Sequence, residues 1–385
     1  MSESTHRKKN PSGGCGSEEN LSPGENGEKS SRREKAFLRK PELVLASEEE
    51  LVSFVKSVEE PAYRAKQIHE WVVLKKVGDP DKMTNLSVSL REKLKEHGVD
   101  QPVTIRETRV SGLDGTKKYL FALPDGNCIE GVLMRYHYGA TLCISTQVGC
   151  RMGCRFCAST LDGCVRNLTA AEMLGQVQCA NRALGEERVH NIVLMGSGEP
   201  LDNYDQVVRF LRLVSHPEGL NIGLRHISLS TCGLVPEMRR FAEEGLPVTL
   251  SLSLHAPNDV IRRQIMPIAH RYTMEDTLAA CRNYIEKTGR RVVFEYALID
   301  GVNADEACAN ELAGKLRGMQ CHVNLIPLNT VKERNLYGVS ERQVQAFLAV
   351  LEKRRISATR RREMGDDIEG ACGQLRKKIM QEDQP

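Results

Sequence analysis

No apolar run in these 385 residues approaches the roughly 20 that cross a bilayer, and the N-terminus carries no hydrophobic segment of signal-peptide type. Neither membrane insertion nor secretion is expected, and the chain reads as cytoplasmic. A dominant charge is missing too. The 54 Lys and Arg against 51 Asp and Glu leave a formal +3, so no global excess of base points to nucleic acid, and any such contact must come from local clusters. Residues 1–40 are rich in Ser, Gly, Lys, Arg and Glu and have almost nothing to bury. They read as a disordered tail, and its Glu18, Glu19, Glu25 and Glu28 argue against a transit peptide, which avoids acidic residues.

What is present is an ordinary balance, 40% apolar and 27% charged, as in soluble globular chains. The length allows one large domain plus a small one. The count of 13 cysteines is high; in an intracellular protein they cannot be assumed to pair, so metal or redox chemistry is the first suspicion. Cys179 and Cys281 fall in expected helices, and Cys232, Cys308 and Cys321 have no partner at ligand spacing. These read as small buried hydrophobes.

Ser47 to Glu50 has the form of a capping box, with Leu51, Phe54 and Val55 following at helical spacing. Helices are also expected over Arg64 to Lys76 and over Ser87 to His97, stopped by Gly98. Together, residues 41–100 suggest a small helical domain. Alternating runs at Val103 to Val110, Lys117 to Leu123 and Cys128 to Met134 read as antiparallel strands.

From Thr141 on, β-branched runs alternate with amphipathic helices. The runs are Leu142 to Ser145, Asn191 to Met195, His226 to Ser230, Val248 to Leu254, Val292 to Leu298 and His322 to Ile326. This predicts an α/β fold of six parallel strands with crossover helices. Six are too few for a closed eight-stranded barrel, which leaves an open barrel or a doubly wound sheet. In both, ligands gather at the C-terminal ends of the strands.

Just after the first of these strands stands Gly149-Cys150-Arg151-Met152-Gly153-Cys154-Arg155-Phe156-Cys157, with three and then two residues between cysteines. Three thiolates on one short loop can hold a single centre, and soft sulfur selects iron-sulfur, zinc or copper(I). Structural zinc wants a fourth ligand, and no Cys or His pair lies nearby at the usual spacing. A four-iron, four-sulfur (4Fe-4S) cluster on three protein ligands leaves one iron open for a small molecule. A zinc loop and three unrelated core cysteines are the alternatives.

The loop resembles the hallmark of the radical S-adenosylmethionine superfamily, Cys-x-x-x-Cys-x-aromatic-Cys, with Phe156 in the aromatic place. The resemblance implies a partial barrel in which Cys150, Cys154 and Cys157 hold a 4Fe-4S cluster. It also implies that the open iron chelates S-adenosylmethionine and that cleavage yields a 5′-deoxyadenosyl radical. Gly196-Ser197-Gly198-Glu199-Pro200 stands where the superfamily has a Gly-Gly-Glu-Pro-like segment that holds the cofactor's amino group.

Cys143, seven residues before Cys150, and Cys372, within Gly365-Asp366-Asp367-Ile368-Glu369-Gly370-Ala371-Cys372-Gly373-Gln374-Leu375, narrow the match. So do Ser251-Leu252-Ser253-Leu254-His255-Ala256-Pro257-Asn258-Asp259 and Asn324-Leu325-Ile326-Pro327-Leu328-Asn329. The combination is similar to the RlmN and Cfr family of RNA methyltransferases, and it spans Lys66 to Gln374. The RlmN type methylates carbon 2 of adenine in 23S ribosomal RNA and transfer RNA. The Cfr type acts on carbon 8.

Chemistry explains the extra cysteines. Adenine carbon 2 is electron-poor, so a carbon radical must be delivered to it, and a thiolate can carry the methyl group that becomes that radical. The resemblance gives the carrier role to Cys372, and to Cys143 the release of the crosslinked base by forming a disulfide with the carrier. It makes Glu130 a general base and assigns Gly198, Glu199, Ser230, Ser253, Leu254, His255 and Asn329 to S-adenosylmethionine. It also implies RNA docking by the helical domain, with residues 101–385 carrying the chemistry; a flavodoxin-type or similar electron donor is expected, and a monomer is the default reading. Ser197 departs from the family, where many members have Met.

Basic clusters at Lys353-Arg354-Arg355, Arg360-Arg361-Arg362 and Arg376-Lys377-Lys378 flank the Cys372 segment and read as phosphate contacts. The target base is expected to leave its stack to reach the site. Two further readings compete, carbon 8 methylation and an RNA-binding or assembly factor that lost catalysis. Retention of all five cysteines argues against the second.

Overall fold

The computed structural model describes residues 48–75, 77, 79–96, 103–217, 219–329, 331–375 and 378–379. The expected tail, the capping Ser47 and the stop at Gly98 lie outside them. Three helices come first, α1 (Glu48–Ser57), α2 (Tyr63–His69) and α3 (Val88–Glu96). Their buried side chains, among them Leu51, Phe54, Ile68, Leu90 and Leu94, form an apolar cluster of their own. The sequence suggests one helix through Lys76. The chain instead widens into a π turn over Glu70–Leu74. There Lys75 N reaches back to Glu70 O and Val77 N to Trp71 O, while the Trp71 indole donates to Asn85 Oδ1.

Three antiparallel strands follow, β1 (Thr104–Val110), β2 (Lys117–Ala122) and β3 (Asn127–Tyr136), and β3 runs antiparallel to β4 (Gly139–Cys143). From β4 the sheet turns parallel. A small hairpin, β5 (Gln147–Gly149) and β6 (Cys164–Asn167), and helix α4 (Ala170–Leu184) lead to β7 (Val189–Leu194). Then α5 (Tyr204–Val214) leads to β8 (Ile227–Thr231), and α6 (Val235–Glu243) to β9 (Thr249–Ser253). Helices α7 (Asp259–Ile265) and α8 (Met274–Thr288) lead to β10 (Val292–Leu298), and α9 (Glu306–Leu316) to β11 (Cys321–Pro327). Last come α10 (Glu341–Lys353) and β12 (Ala358–Arg360).

The strand order β4-β7-β8-β9-β10-β11-β12 follows the chain without reversal, and each pair is parallel. A doubly wound sheet would turn back past its first strand. This one does not, and β1 and β12 stay at its two ends. The architecture is an open, partial β/α barrel with an antiparallel extension. β12 is a parallel strand beyond the six expected, missed because three residues ending in Arg carry no apolar pattern. A short strand β13 (Lys378–Ile379) returns antiparallel to β3.

Helix starts are set by local chemistry. Thr169, Thr273 and Ser340 cap α4, α8 and α10 through reciprocal bonds with Glu172, Asp276 and Gln343, each typically worth about 1 kcal/mol. The strand interiors and the inner helix faces merge into one core, with Phe294, Tyr296, Phe241 and Phe347 among its largest members. Among the described residues no helix is long and apolar enough to cross a membrane.

Candidate active site

The cluster loop begins where the β5–β6 hairpin closes. Gly149 has φ +80°, and a Cβ there would meet Gly163 O at 2.0 Å, so only glycine fits. Cys150 N then donates to Gly163 O at 3.1 Å and Arg155 N to Ile265 O at 2.9 Å. The Arg151 guanidinium grips Asp202 with bonds of 2.7 and 2.8 Å. The Cys150–Cys157 segment is thereby pinned from three sides.

Its thiols face a cleft of about 930 Å³, partly open to solvent. Cys150, Cys154 and Cys157 line it together with Cys372 and Gly373, whose segment lies against the cluster loop. With them stand Gly198, Glu199, Ser230, Ser253, His255 and Asn329, the ends of β7, β8, β9 and β11. Six of the seven residues assigned to S-adenosylmethionine thus line the same cleft. The seventh, Leu254, turns its side chain into the main core; its N–H donates to Glu295 O and its carbonyl accepts from Arg262 Nε.

Glycine again decides the backbone after β7. Gly198 has φ +110°, and a Cβ would lie 2.7 Å from Gln147 N and Cβ. The Gln147 carboxamide accepts from Glu199 N at 2.9 Å, while the Glu199 carboxylate accepts from Leu201 N at 3.1 Å and Cys232 N at 2.8 Å. Burial pushes its carboxyl up, against these amide bonds. An ammonium group in the cleft would favour the charged form.

His255 sits at φ +54°, edge-on to Phe156 at 4.7 Å. Its Nδ1 accepts from Ala297 N at 2.9 Å, which leaves the proton on Nε2. Burial, then the Arg262 cation, push its imidazole down to about 3, so it is neutral.

The three cluster-loop thiols suit an iron centre. Burial raises all of them, Cys150 to about 12, and Cys154 is raised further by Cys157 and Cys150. Ile265, Met266 and Ile299 complete an apolar shell around Cys154. Thiolates crowded there are costly until a cationic metal binds them. Among the described residues no three His, Cys, Asp or Glu side chains converge as around a single ion.

A second cavity, of about 530 Å³ including space open to solvent, lies beyond Cys372 and is lined by Cys143, Val132, Met195, Arg361, Arg362 and Met364 among others. Cys372, Asn329 and Arg361 line both cavities. Asn329 Nδ2 donates to Cys372 O at 3.1 Å, and Ala158 N to Gly373 O at 2.7 Å. The carrier segment is therefore anchored to the cluster loop. Burial, then neighbouring Cys372, push the Cys143 thiol up to about 12, against the pull of Arg361. Both cysteines are thiols.

Glu130 lies elsewhere. It is buried on β3 against Lys118 Nζ at 3.2 Å, and Lys118 also donates to Glu369 O at 3.0 Å. Neither cavity includes it.

Arg361 and Glu295 were not legible as site residues. The sequence groups Arg361 with two neighbouring arginines as a phosphate contact; its guanidinium lies in the cleft just past β12, 3.6 Å from Glu295 Oε2. Recognising β12 would have placed it. Arg376 and Lys377 lie outside the described residues.

Family models match two parts of the chain, the Radical SAM superfamily over residues 144–309 and the ribosomal RNA large subunit methyltransferase N-terminal domain over residues 42–99. A probable dual-specificity RNA methyltransferase RlmN of Lachnoclostridium phytofermentans is 56% identical over 86% of this chain and 92% of its own length. Its counterpart in Alkaliphilus oremlandii is 52% identical over 89% of this chain and 100% of its own. The crystal structure of a radical SAM methyltransferase from Sphaerobacter thermophilus superposes with a TM-score of 0.82 at 45% identity, covering 86% of this chain and 98% of that one.

Proposed function

We propose, from the premise that this chain belongs to the RlmN family of radical S-adenosylmethionine RNA methyltransferases, that it methylates carbon 2 of an adenine in 23S ribosomal RNA and in transfer RNA. The observation that carries the reading is the place of Cys372, on the wall between the cluster-loop cleft and the cavity of Cys143. A group carried on that sulfur can meet cofactor chemistry on one side and a base and a resolving thiol on the other.

When bound, the 4Fe-4S cluster and S-adenosylmethionine supply an electron, a methyl group and a hydrogen-abstracting radical. Cys150, Cys154 and Cys157 hold the cluster. Glu199 receives the amino group of the cofactor, while Ser230, Ser253, His255 and Asn329 line its bed. Cys372, as thiolate, would attack the methyl carbon of one S-adenosylmethionine; the new sulfur–carbon bond makes it S-methylcysteine as the methyl–sulfonium bond breaks and S-adenosylhomocysteine leaves. With one hydrogen atom lost to the cofactor-derived radical, that carbon would bond to carbon 2 of the base; loss of the ring proton and of one electron, which the cluster would take back, then leaves RNA joined to protein. Glu130 is assigned the ring proton, its neighbour Lys118 holding the charge. Cys143 then attacks the Cys372 sulfur; the S–S bond forms, the sulfur–carbon bond breaks, and the freed carbon takes a proton as a methyl group.

Residues 41–100 dock the RNA and residues 101–385 carry the chemistry. A flavodoxin-type donor supplies electrons, and the chain works as a monomer in the cytoplasm.

The test is nucleoside mass spectrometry of 23S RNA fragments and transfer RNA incubated anaerobically with reconstituted enzyme, cofactor and reductant. The expected product is 2-methyladenosine, lost in Cys372→Ala, with a covalent RNA–protein species accumulating in Cys143→Ala. Formation of 8-methyladenosine would reassign the carbon, and no methylated adenosine from a loaded, cofactor-cleaving enzyme would reassign the substrate.

A further inference from the structure

The lip of the Cys143 cavity carries two aromatic rings that the reaction does not use. Strands β3 and β4 are joined through only His137 and Tyr138, with Tyr136 paired to Gly139. That tight connection stacks Tyr138 on Tyr136, with centroids 5.0 Å apart and planes within 5°, and sets His137 edge-on to Tyr138. The Tyr136 ring belongs to the cavity wall with Cys143 and Cys372. Tyr138 is 57% exposed, so the stack has one residue in the cavity wall and one open to solvent.

A single exposed tyrosine needs no explanation. Here the surroundings do need one. Arg361 and Arg362 line the same cavity, Arg362 is exposed, and Arg361 faces both tyrosines electrostatically. Stacked rings beside guanidinium groups are the composition that receives an unpaired base and its phosphate. An adenine drawn out of its stack leaves the adjacent base without one neighbour.

We propose that the Tyr136–Tyr138 stack is a binding ledge for the nucleobase next to the target adenine, with Arg362 at its phosphate. The inference rests on the RNA-methylating reading and adds the subsite that holds the flanking nucleotide. It does not depend on which carbon of the target is modified.

The experiment uses the full chain and an RNA hairpin in which the base on either side of the target adenine is replaced by fluorescent 2-aminopurine. Binding to the unsubstituted protein is expected to quench the probe at one of these two positions. Tyr138→Ala should abolish that quench and weaken binding on the order of tenfold, raising KM far more than it changes kcat. Tyr138→Phe should keep both. Methyl loading of Cys372, read by intact mass without RNA, checks that each variant is folded. Unchanged affinity and quench in Tyr138→Ala, or an equal loss in Tyr138→Phe, would overturn the ledge alone. No RNA binding by the unsubstituted protein would overturn both the ledge and the reading beneath it.

Discussion

Arg361 and Glu295 face each other inside the cleft, Nη1 to Oε2 at 3.6 Å, and the same guanidinium is held protonated first by Cys372. Glu295 is otherwise poorly served. Its Oε1 accepts from Asn324 Nδ2 at 3.1 Å, and burial pushes its carboxyl up.

Arg361→Met should therefore have two separable effects. It leaves a buried carboxyl without its cation, which costs about 3 kcal/mol of stability when a buried pair is broken, and it removes the cation that faces the Cys372 sulfur. Adding Glu295→Gln should restore the denaturant midpoint. Methyl loading of Cys372, followed by intact mass, should stay slow by about tenfold or more, the worth of about 1.4 kcal/mol at the barrier. Full recovery of loading in the double variant would show Arg361 to be structural only.

The Glu130–Lys118 pair allows a similar dissection. Glu130→Gln leaves the Lys118 ammonium buried, with Glu369 O still accepting from it, and should cost roughly 3 kcal/mol in urea unfolding. Lys118→Met with Glu130→Gln should recover much of this. If Glu130 also removes the ring proton, turnover in that double variant stays low although its stability returns. Recovered turnover would remove Glu130 from the chemistry.

Gly198→Ala should fold poorly and bind cofactor weakly. The new methyl group would lie 2.7 Å from the Gln147 backbone at φ +110°, a conformation costing on the order of 1–3 kcal/mol for a residue with a side chain. Equilibrium binding of S-adenosylmethionine to the reconstituted variant reads the effect. Affinity equal to the unsubstituted enzyme would mean that the loop relaxes without consequence.

His255 gives the protein an acid-sensitive term. Its folded value of about 3 lies below the ordinary 6.5, so between those values the unfolded chain binds the extra proton. Stability contributed by the neutral ring is complete above about pH 6.5 and lost as pH falls towards 3, with a slope approaching 1.4 kcal/mol per pH unit, roughly, for one proton. In His255→Asn this part of the pH dependence should flatten, as measured by urea midpoints from pH 7 to pH 4.5. An unchanged slope would place the acid sensitivity elsewhere.

The parts of the site legible in the sequence were those with strict spacing or steric demand. Cys150, Cys154 and Cys157 declare themselves by spacing, and the Gly196–Pro200 segment by its glycines after a β-branched run. Strand β10 hid Glu295 for a physical reason: all seven of its residues are buried, so no alternation separates the face towards the cleft from the face towards the helices. Arg361 was hidden by the arginines beside it. Leu254 entered the cofactor set through the family resemblance and through no pattern of its own, and its side chain joins the main core. Tyr136 and Tyr138 looked like any pair at a turn until the hairpin stacked them.

The bonds from Ala158 N to Gly373 O, Ser159 Oγ to Leu375 O and Asn329 Nδ2 to Cys372 O sew the carrier segment to elements far away in the chain. That segment is consequently not a transplantable module. Grafting it onto another radical enzyme, or exchanging it between relatives, would have to bring its partners at 158, 159 and 329 along. Substitutions on the two sides of the seam should compensate or aggravate one another rather than add.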